Sequence, residues 1–431
     1  MLKIPLRSKA TVGTHLAVII VGGGLLSMEA VRSAASSELV DTGDLAHVQW
    51  AARLDSQNAL VQNRLGFLTQ WQSADTATAL PYLKRATELN PYVASYWVDL
   101  ANGCEFAGQL ECAGNAYEKA VALAPKRPDL IWNLANYALR AGDNEKALDR
   151  FAQFLRLVPS QRQQTFALLG RAIQDPMLIW QKVVHPCGDP ETELAYLNFY
   201  RKQDEQANTA PLWAEIMAEG KSFSASAAIP YVDRLLDAME FDEAKLTWVD
   251  LQAKGIIKGG QQDGELVFNG SFAEKPLNGG FDWRLHDQSY LYLDVAQPAS
   301  CREGHCLYMN FTVPQNLEYE PVYQIIPVKP HQLYSLSAWV RSQDITSDSG
   351  PRLRVVDPEC EACINASTSQ VVETRPWHKV ETTFITGPRT RVIKLSVFRP
   401  RSRVFPMEIG GEFWMDTVSL RIVGEATASG L

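Results

Sequence analysis

The chain has 431 residues, a formal net charge of −8, and 41 Lys plus Arg against 49 Asp plus Glu. That length holds two or three domains. The acidic surplus excludes the broad basic surface that a nucleic-acid backbone requires, so no nucleic-acid partner is expected.

Lys3, Arg7 and Lys9 precede a stretch from Ala10 to Met28 whose only ionisable group is His15. An apolar run of about that length crosses a bilayer as a helix. Basic residues before it, and Glu29, Glu38, Asp41 and Asp44 after it, orient the rest of the chain away from the cytoplasm. Residues 1–40 therefore read as a basic tail, a membrane or signal helix and a short linker. An uncleaved single anchor in a bacterial inner membrane, with the bulk of the chain periplasmic, is the expectation. Secretion after cleavage is the rival. Ser33-Ala34-Ala35 offers small residues for cleavage, but several positions past the apolar run.

Residues 41–254 repeat. Pro91, Pro125 and Pro159 are each 34 residues apart. Within that period Trp97, Leu100, Ala101, Cys104, Ala113, Tyr117 and Ala120 are followed by Ile131, Leu134, Ala135, Ala138, Ala147, Phe151 and Phe154. This spacing predicts stacked helical hairpins. Small residues sit where paired helices cross, and bulky ones fill the space between hairpins. Gly108 and Gly142 fall at the turns, and each proline ends a second helix. Leu65-Gly66, Ala79, Leu83, Ala86 and Pro91 make an earlier unit, and degenerate hairpins are expected from Phe166 to Trp248.

The pattern resembles the tetratricopeptide repeat. That resemblance implies a solenoid whose first helices line a concave groove for a protein partner. Val98, Asn102, Trp132, Asn133 and Asn136 fall on that face. There the asparagines are suited to an extended peptide backbone, with Trp132 as an apolar anchor. The opposing reading packs Trp132 on its neighbours and leaves the asparagines to solvent.

Residues 255–264, with Gly259-Gly260 and Gln261-Gln262, form the expected linker. From Glu265 to residue 424 the period becomes two. Leu336, Ala338 and Val340 alternate with Ser335, Ser337, Trp339 and Arg341, and Ile393, Leu395 and Val397 alternate with Lys394, Ser396 and Phe398. Many short strands with one apolar face predict an antiparallel two-sheet sandwich. Residues 425–431 are expected as a disordered tail. The predicted class is an α + β multidomain chain: an N-terminal helix, an α-solenoid and a β-sandwich.

Three phrases in the last part carry a second resemblance: Leu266-Val-Phe-Asn-Gly-Ser-Phe272 with Asn278-Gly-Gly-Phe-Asp-Trp283; Tyr323-Gln324 with Leu333 to Arg341; and Phe413 to Leu420. Together they resemble jelly-roll carbohydrate-binding modules and the wider galactose-binding-like superfamily. A polysaccharide is then a second expected partner. Aromatic faces and fork-like polar groups suit a sugar, which singles out Tyr323, Trp339, Arg341, Arg354 and Arg399. The opposing reading packs Trp339 against a loop. The superfamily often carries calcium, for which Glu274 and Asp416 are candidates, but the oxygen-rich cluster such an ion needs is sparse here. No metal or cofactor is assigned.

Of seven cysteines, Cys301, Cys306, Cys360 and Cys363 crowd the C-terminal part. In an exported chain they read as disulfides whose pairing sequence does not settle. A four-cysteine zinc site with His305 is the alternative. Cys104 and Cys112 face each other across one hairpin, either bridged or merely packed. His185 to Asp189 reads as a hairpin connection. No nucleophile elbow, P-loop, dinucleotide fingerprint or paired-histidine motif is present. Asp357 and Glu359 as a glycosidase pair have nothing to fix their separation. A non-catalytic scaffold is expected, and the layout resembles bacterial exopolysaccharide-associated repeat proteins.

Overall fold

A computed structural model describes residues 9–258, 264–296 and 300–425. Lys3 and Arg7, half of the expected linker (259–263) and all but the first residue of the expected tail lie outside the described residues. The chain divides into two compact units, one through Asp189 and one from Pro190. The expected linker at 255–264 falls within the second of these units.

The first unit begins with α1 (Lys9–Asp41), a single unbroken helix. Its segment from Thr14 to Asp41 is long and apolar enough to cross a membrane. Residues 29–40, expected as linker, are helical. Near its end Ser36 is fully buried, and Val40 packs with Ala51 and Val61. Then follow α2 (Leu45–Leu54), α3 (Ala59–Ser73), α4 (Thr76–Leu89), α5 (Ala94–Phe106), α6 (Leu110–Leu123), α7 (Pro128–Arg140) and α8 (Asn144–Leu157). The last six pair as three antiparallel hairpins. Asp44, Asn58, Asp75 and Asp143 cap their helices with side-chain oxygens on free N–H groups. Gly108 and Gly142 turn the chain at φ +70° and +81°, a region open to glycine at little cost.

Beyond α8 regularity fades. α9 (Arg162–Ala172) and α10 (Pro176–Ile179) lead into a π-helical stretch, Trp180–Val184, and α11 (His185–Cys187). The connection expected from His185 to Asp189 is helical over its first three residues. Pro186 has no N–H to donate, and the ladder widens just before it, with the His185 N–H reaching the Trp180 carbonyl. Gly188 at φ +72° ends the segment.

The second unit holds α12 (Pro190–Gln203), α13 (Ala210–Ala218), α14 (Ala225–Asp237) and α15 (Phe241–Ala253), followed, among the described residues, by ten strands. These are β1 (Arg284–Leu285), β2 (Leu291–Ala296), β3 (Cys306–Gln315), β4 (Tyr319–Pro327), β5 (Gln332–Ile345), β6 (Arg352–Val356), β7 (Asn365–Ser367), β8 (Glu373–Ile385), β9 (Val392–Arg399) and β10 (Ile409–Glu425). Two five-stranded antiparallel sheets result, in the orders β1-β4-β9-β6-β7 and β2-β3-β10-β5-β8. Leu336, Ala338 and Val340 of one sheet and Ile393, Leu395 and Val397 of the other share one core, as the period-two alternation predicts. Inside it Gln324 is fully buried with its amide satisfied: Oε1 accepts the Phe268 N–H at 3.0 Å and Nε2 donates to the Phe268 carbonyl at 2.8 Å.

The loop from Asn278 to Trp283 docks on α14 and α15. Trp248 of α15 meets Phe268 and Phe281 edge-on at 5.2 and 5.7 Å. A Cβ on Gly280, at φ +57°, would stand 2.2 Å from Trp248, and one on Gly279 would stand 2.3 Å from Ile229.

Among the described residues three disulfides are present: Cys104–Cys112 between α5 and α6, Cys301–Cys306 and Cys360–Cys363. Each C-terminal cysteine joins its nearest partner in sequence, so the four-thiolate zinc alternative does not form. Two outcomes follow. Thiol titration of the denatured, unreduced protein finds no more than one reactive thiol per chain. Four would break the disulfide assignment. Gly280→Ala lowers stability by about 1–3 kcal/mol through its backbone conformation and the Trp248 contact. Gly424→Ala, whose Cβ meets nothing within 4 Å, leaves the melting temperature nearly unchanged.

Candidate functional site

Two surfaces contain the expected binding residues. The first is the face of α3, α5 and α7 in the helical unit. Several of its polar groups bond between or within hairpins. Asn63 donates to Asp99 Oδ2 at 2.8 Å across 36 residues, and Arg140 donates to both Glu105 oxygens at 2.6 and 3.0 Å across 35. Tyr117 donates to Asn102 Oδ1 at 2.6 Å, with a Glu105 carboxylate oxygen 3.3 Å from the same hydroxyl. Burial, then the Glu105 charge, pushes the Tyr117 hydroxyl well above its ordinary pKa. Burial also raises the Asp99 carboxyl, against the Asn63 hydrogen bond.

Asn102 is therefore engaged by Tyr117. Asn136 Nδ2 is turned onto the Trp132 carbonyl of its own helix at 2.8 Å. Trp132 packs on Phe151 and Phe154 at 5.4 and 4.8 Å between ring centroids. Val98 and Asn133 are half-buried. Sequence reasoning passed over an aromatic group on the same face. Phe67 and Trp71 lie 6.2 Å apart, and Trp71 meets Phe106 edge-on at 5.4 Å. Trp71 is 55% and Phe106 61% exposed. The signal was available. Trp71, Phe106 and Arg140 hold equivalent places in successive units, and Phe67 precedes Trp71 by one helical turn.

The second surface belongs to the sandwich, and here the expected cluster separates. Tyr323 and Arg354 lie on one sheet, Trp339 and Arg341 on the other. Arg399 is fully buried. Its guanidinium donates to the carbonyls of Leu317 at 2.5 Å, Ser349 at 2.7 Å and Met407 at 2.9 Å and to Ser347 Oγ at 3.1 Å. Desolvation lowers its pKa. It ties three loops together and has no surface to offer a sugar. Its place at the end of β9 looked outward in sequence only because arginine is seldom interior.

Trp339 lies beneath Arg302, whose guanidinium carbon is 4.0 Å from the ring centroid. Arg302 sits in the short loop closed by Cys301–Cys306, and the adjacent Glu303 N–H donates to Asp416 Oδ2 at 3.3 Å. Asp416, one calcium candidate, is thus engaged by backbone and by Thr417, and burial raises its carboxyl. Arg341 covers Trp414 at 4.5 Å. Arg354 stacks on Phe398 at 4.5 Å, donates to Asn365 at 3.1 Å and pairs with Glu361.

Tyr323 is differently placed. It lines a cleft of about 810 Å³ between its sheet and α14–α15, together with Asp233, Asp237, Phe241, Arg284 and Glu359. Asp233 Oδ1 accepts from Arg284 Nη2 at 2.6 Å and from the Gly280 N–H at 2.7 Å, while Arg284 Nη1 is buried without a hydrogen-bond partner. Leu236, Ile325 and Val392 supply an apolar wall to the cleft. Lys394 Nζ lies 4.7 Å from the Tyr323 ring centroid, and His286 stacks on that ring at 5.5 Å.

No family model matches the chain, and no curated protein matches it. Among solved structures it is similar to MamA 41-end from Desulfovibrio magneticus RS-1, at 22% identity and TM-score 0.27, over 31% of this chain and 77% of that one. It is similar to YrrB, a TPR protein with an unusual peptide-binding site, at 18% identity and TM-score 0.28, over 38% and 86%. It is also similar to a CBM4 structure at 15% identity and TM-score 0.27, over 36% and 99%. These likenesses are partial and concern fold alone. The chain joins a part built of stacked helical hairpins to a two-sheet β domain.

Asp282 positions the cleft loop. Its carboxylate accepts the Leu277 and Trp283 N–H groups at 2.8 and 2.7 Å. Burial outweighs those bonds and raises its pKa from 3.8 to about 6. The folded state therefore holds a proton that the unfolded chain releases near its ordinary value. Asp282 contributes stability below about pH 4 that is lost as pH rises to about 6. Asp282→Asn removes that fall from the melting-temperature profile. A variant profile parallel to the wild type across this window would refute the assignment.

Proposed function

We propose that this protein is a non-catalytic, membrane-anchored scaffold on the outer side of a bacterial inner membrane. Its hairpins hold a protein partner, and its β domain contacts a glycan. The observation that carries the reading is the division of labour on the α3–α5–α7 face. Polar groups brace hairpin to hairpin, and exposed Trp71 and Phe106 remain for a partner's apolar side chain. The cleft at Tyr323 and Arg284 supports the glycan half. The layout fits exopolysaccharide assembly or export.

Anchoring is favoured over secretion by the state of the candidate cleavage site. Ser33 to Ala35 lie inside α1, and the Ser36 and Ser37 hydroxyls donate to the Ser33 carbonyl at 2.9 and 3.0 Å. A protease needs such a segment unwound and accessible. A second reading, an adaptor that binds no sugar, is favoured by Arg302 over Trp339 and by the interior place of Arg399. A polysaccharide-modifying enzyme is the third and weakest.

Three measurements on the full chain in detergent discriminate these readings. Trp71→Ala with Phe106→Ala lowers recovery of the crosslinked native partner by about tenfold. Equal recovery sinks the groove reading. Retention on polysaccharide affinity gels that falls with Tyr323→Ala supports the glycan half. No retention on any gel leaves the adaptor. Turnover of a polysaccharide would establish the enzyme instead.

A further inference from the structure

The two ends of the hairpin stack differ chemically, and α1 determines which one lies near the bilayer. Arg32 Nε donates to the Leu54 carbonyl at 2.9 Å, which pins the end of α2 beside residue 32. That residue is only four positions past Met28, where the apolar run stops. With α1 unbroken there, four positions are about 6 Å of helix. Arg85 Nη2 donates to Gln57 Oε1 at 2.8 Å, so the last turns of α4, and the 90–93 loop after them, lie at the same end.

This end is aromatic and rich in cations, two of them paired locally on its surface: Arg85 with Glu88 at 3.0 Å and Arg127 with Asp129. Trp50 is 58% and Tyr92 83% exposed. Arg53 sits over the Trp50 ring at 5.2 Å. Lys84, Arg85, Lys126 and Arg127 are exposed near the same helix ends. The helices that start here begin at Asn58, Val93 and Arg127. At the opposite end the helices start at Asp44, Asp75, Gln109 and Asp143. Indole and phenol rings flanked by cations are the chemistry that the headgroup layer of a bilayer favours.

We propose that the α2–α3 and α4–α5 ends of the first unit form a lipid-headgroup surface, with Trp50 and Tyr92 in the interfacial layer and Arg53 and Arg85 against anionic headgroups. The proposal rests on α1 being a membrane anchor. Seated this way, the hairpins stand at a fixed height with their acidic ends turned from the lipid.

The test uses the full chain in vesicles of phosphatidylethanolamine with phosphatidylglycerol. Photoreactive p-benzoylphenylalanine replaces Trp50, Tyr92 or, as the far-end control, Gln109. Irradiation yields lipid adducts at 50 and 92 and not at 109. Arg53→Glu with Arg85→Glu lowers the adduct yield about fivefold or more. Alkaline extraction of the same vesicles reports the anchor separately. A chain that resists extraction yet gives no adduct at 50 and 92, or equal adducts at 109, overturns the surface while the anchor stands. A chain released by alkali overturns the anchor reading and this surface with it.

Discussion

Each helical hairpin buries its apolar face only against the next one, and the 34-residue spacing places equivalent side chains side by side. Asn63 reaches Asp99, and Glu105 reaches Arg140, because each pair stands about one repeat apart on neighbouring first helices. These contacts compete with a partner for the same polar groups. On the same face Trp71 and Phe106 touch each other and keep most of their surface exposed.

The β domain obeys a different constraint. A sandwich has two outward faces, and residues that share an outward phase in sequence separate when their strands join different sheets. Tyr323 keeps company with Arg284 and the carboxylates of α14, while Trp339 is roofed by a disulfide-closed loop. Gly279 and Gly280 connect the two parts of this unit. Only a residue without a Cβ lets the loop approach Ile229 and Trp248 so closely, and Arg284, four residues past Gly280, thereby meets Asp233.

Much of the architecture was legible before any coordinate. The repeat announced hairpins because apolar side chains must recur wherever the same packing recurs. Alternation announced strands because a pleated backbone points successive side chains to opposite faces. Proline and glycine marked helix ends and turns. The candidate sites were less legible. Asn102 and Asn136 occupy the expected face, yet whether an amide meets a partner or a neighbour depends on what stands opposite. Nothing local announces the Tyr117 hydroxyl, 15 residues downstream, as the partner of Asn102.

Sequence by itself determined the order of parts: an apolar N-terminal helix, a helical repeat and a two-sheet β domain. Composition and periodicity are properties of neighbouring residues, and secondary structure is built from neighbours. Tertiary structure decided that α12–α15 belong with the β domain, that Arg399 is interior, and that the cysteines close short local loops. These outcomes depend on which distant surfaces meet, and the free energy of that meeting belongs to the whole assembly of elements and to no single segment.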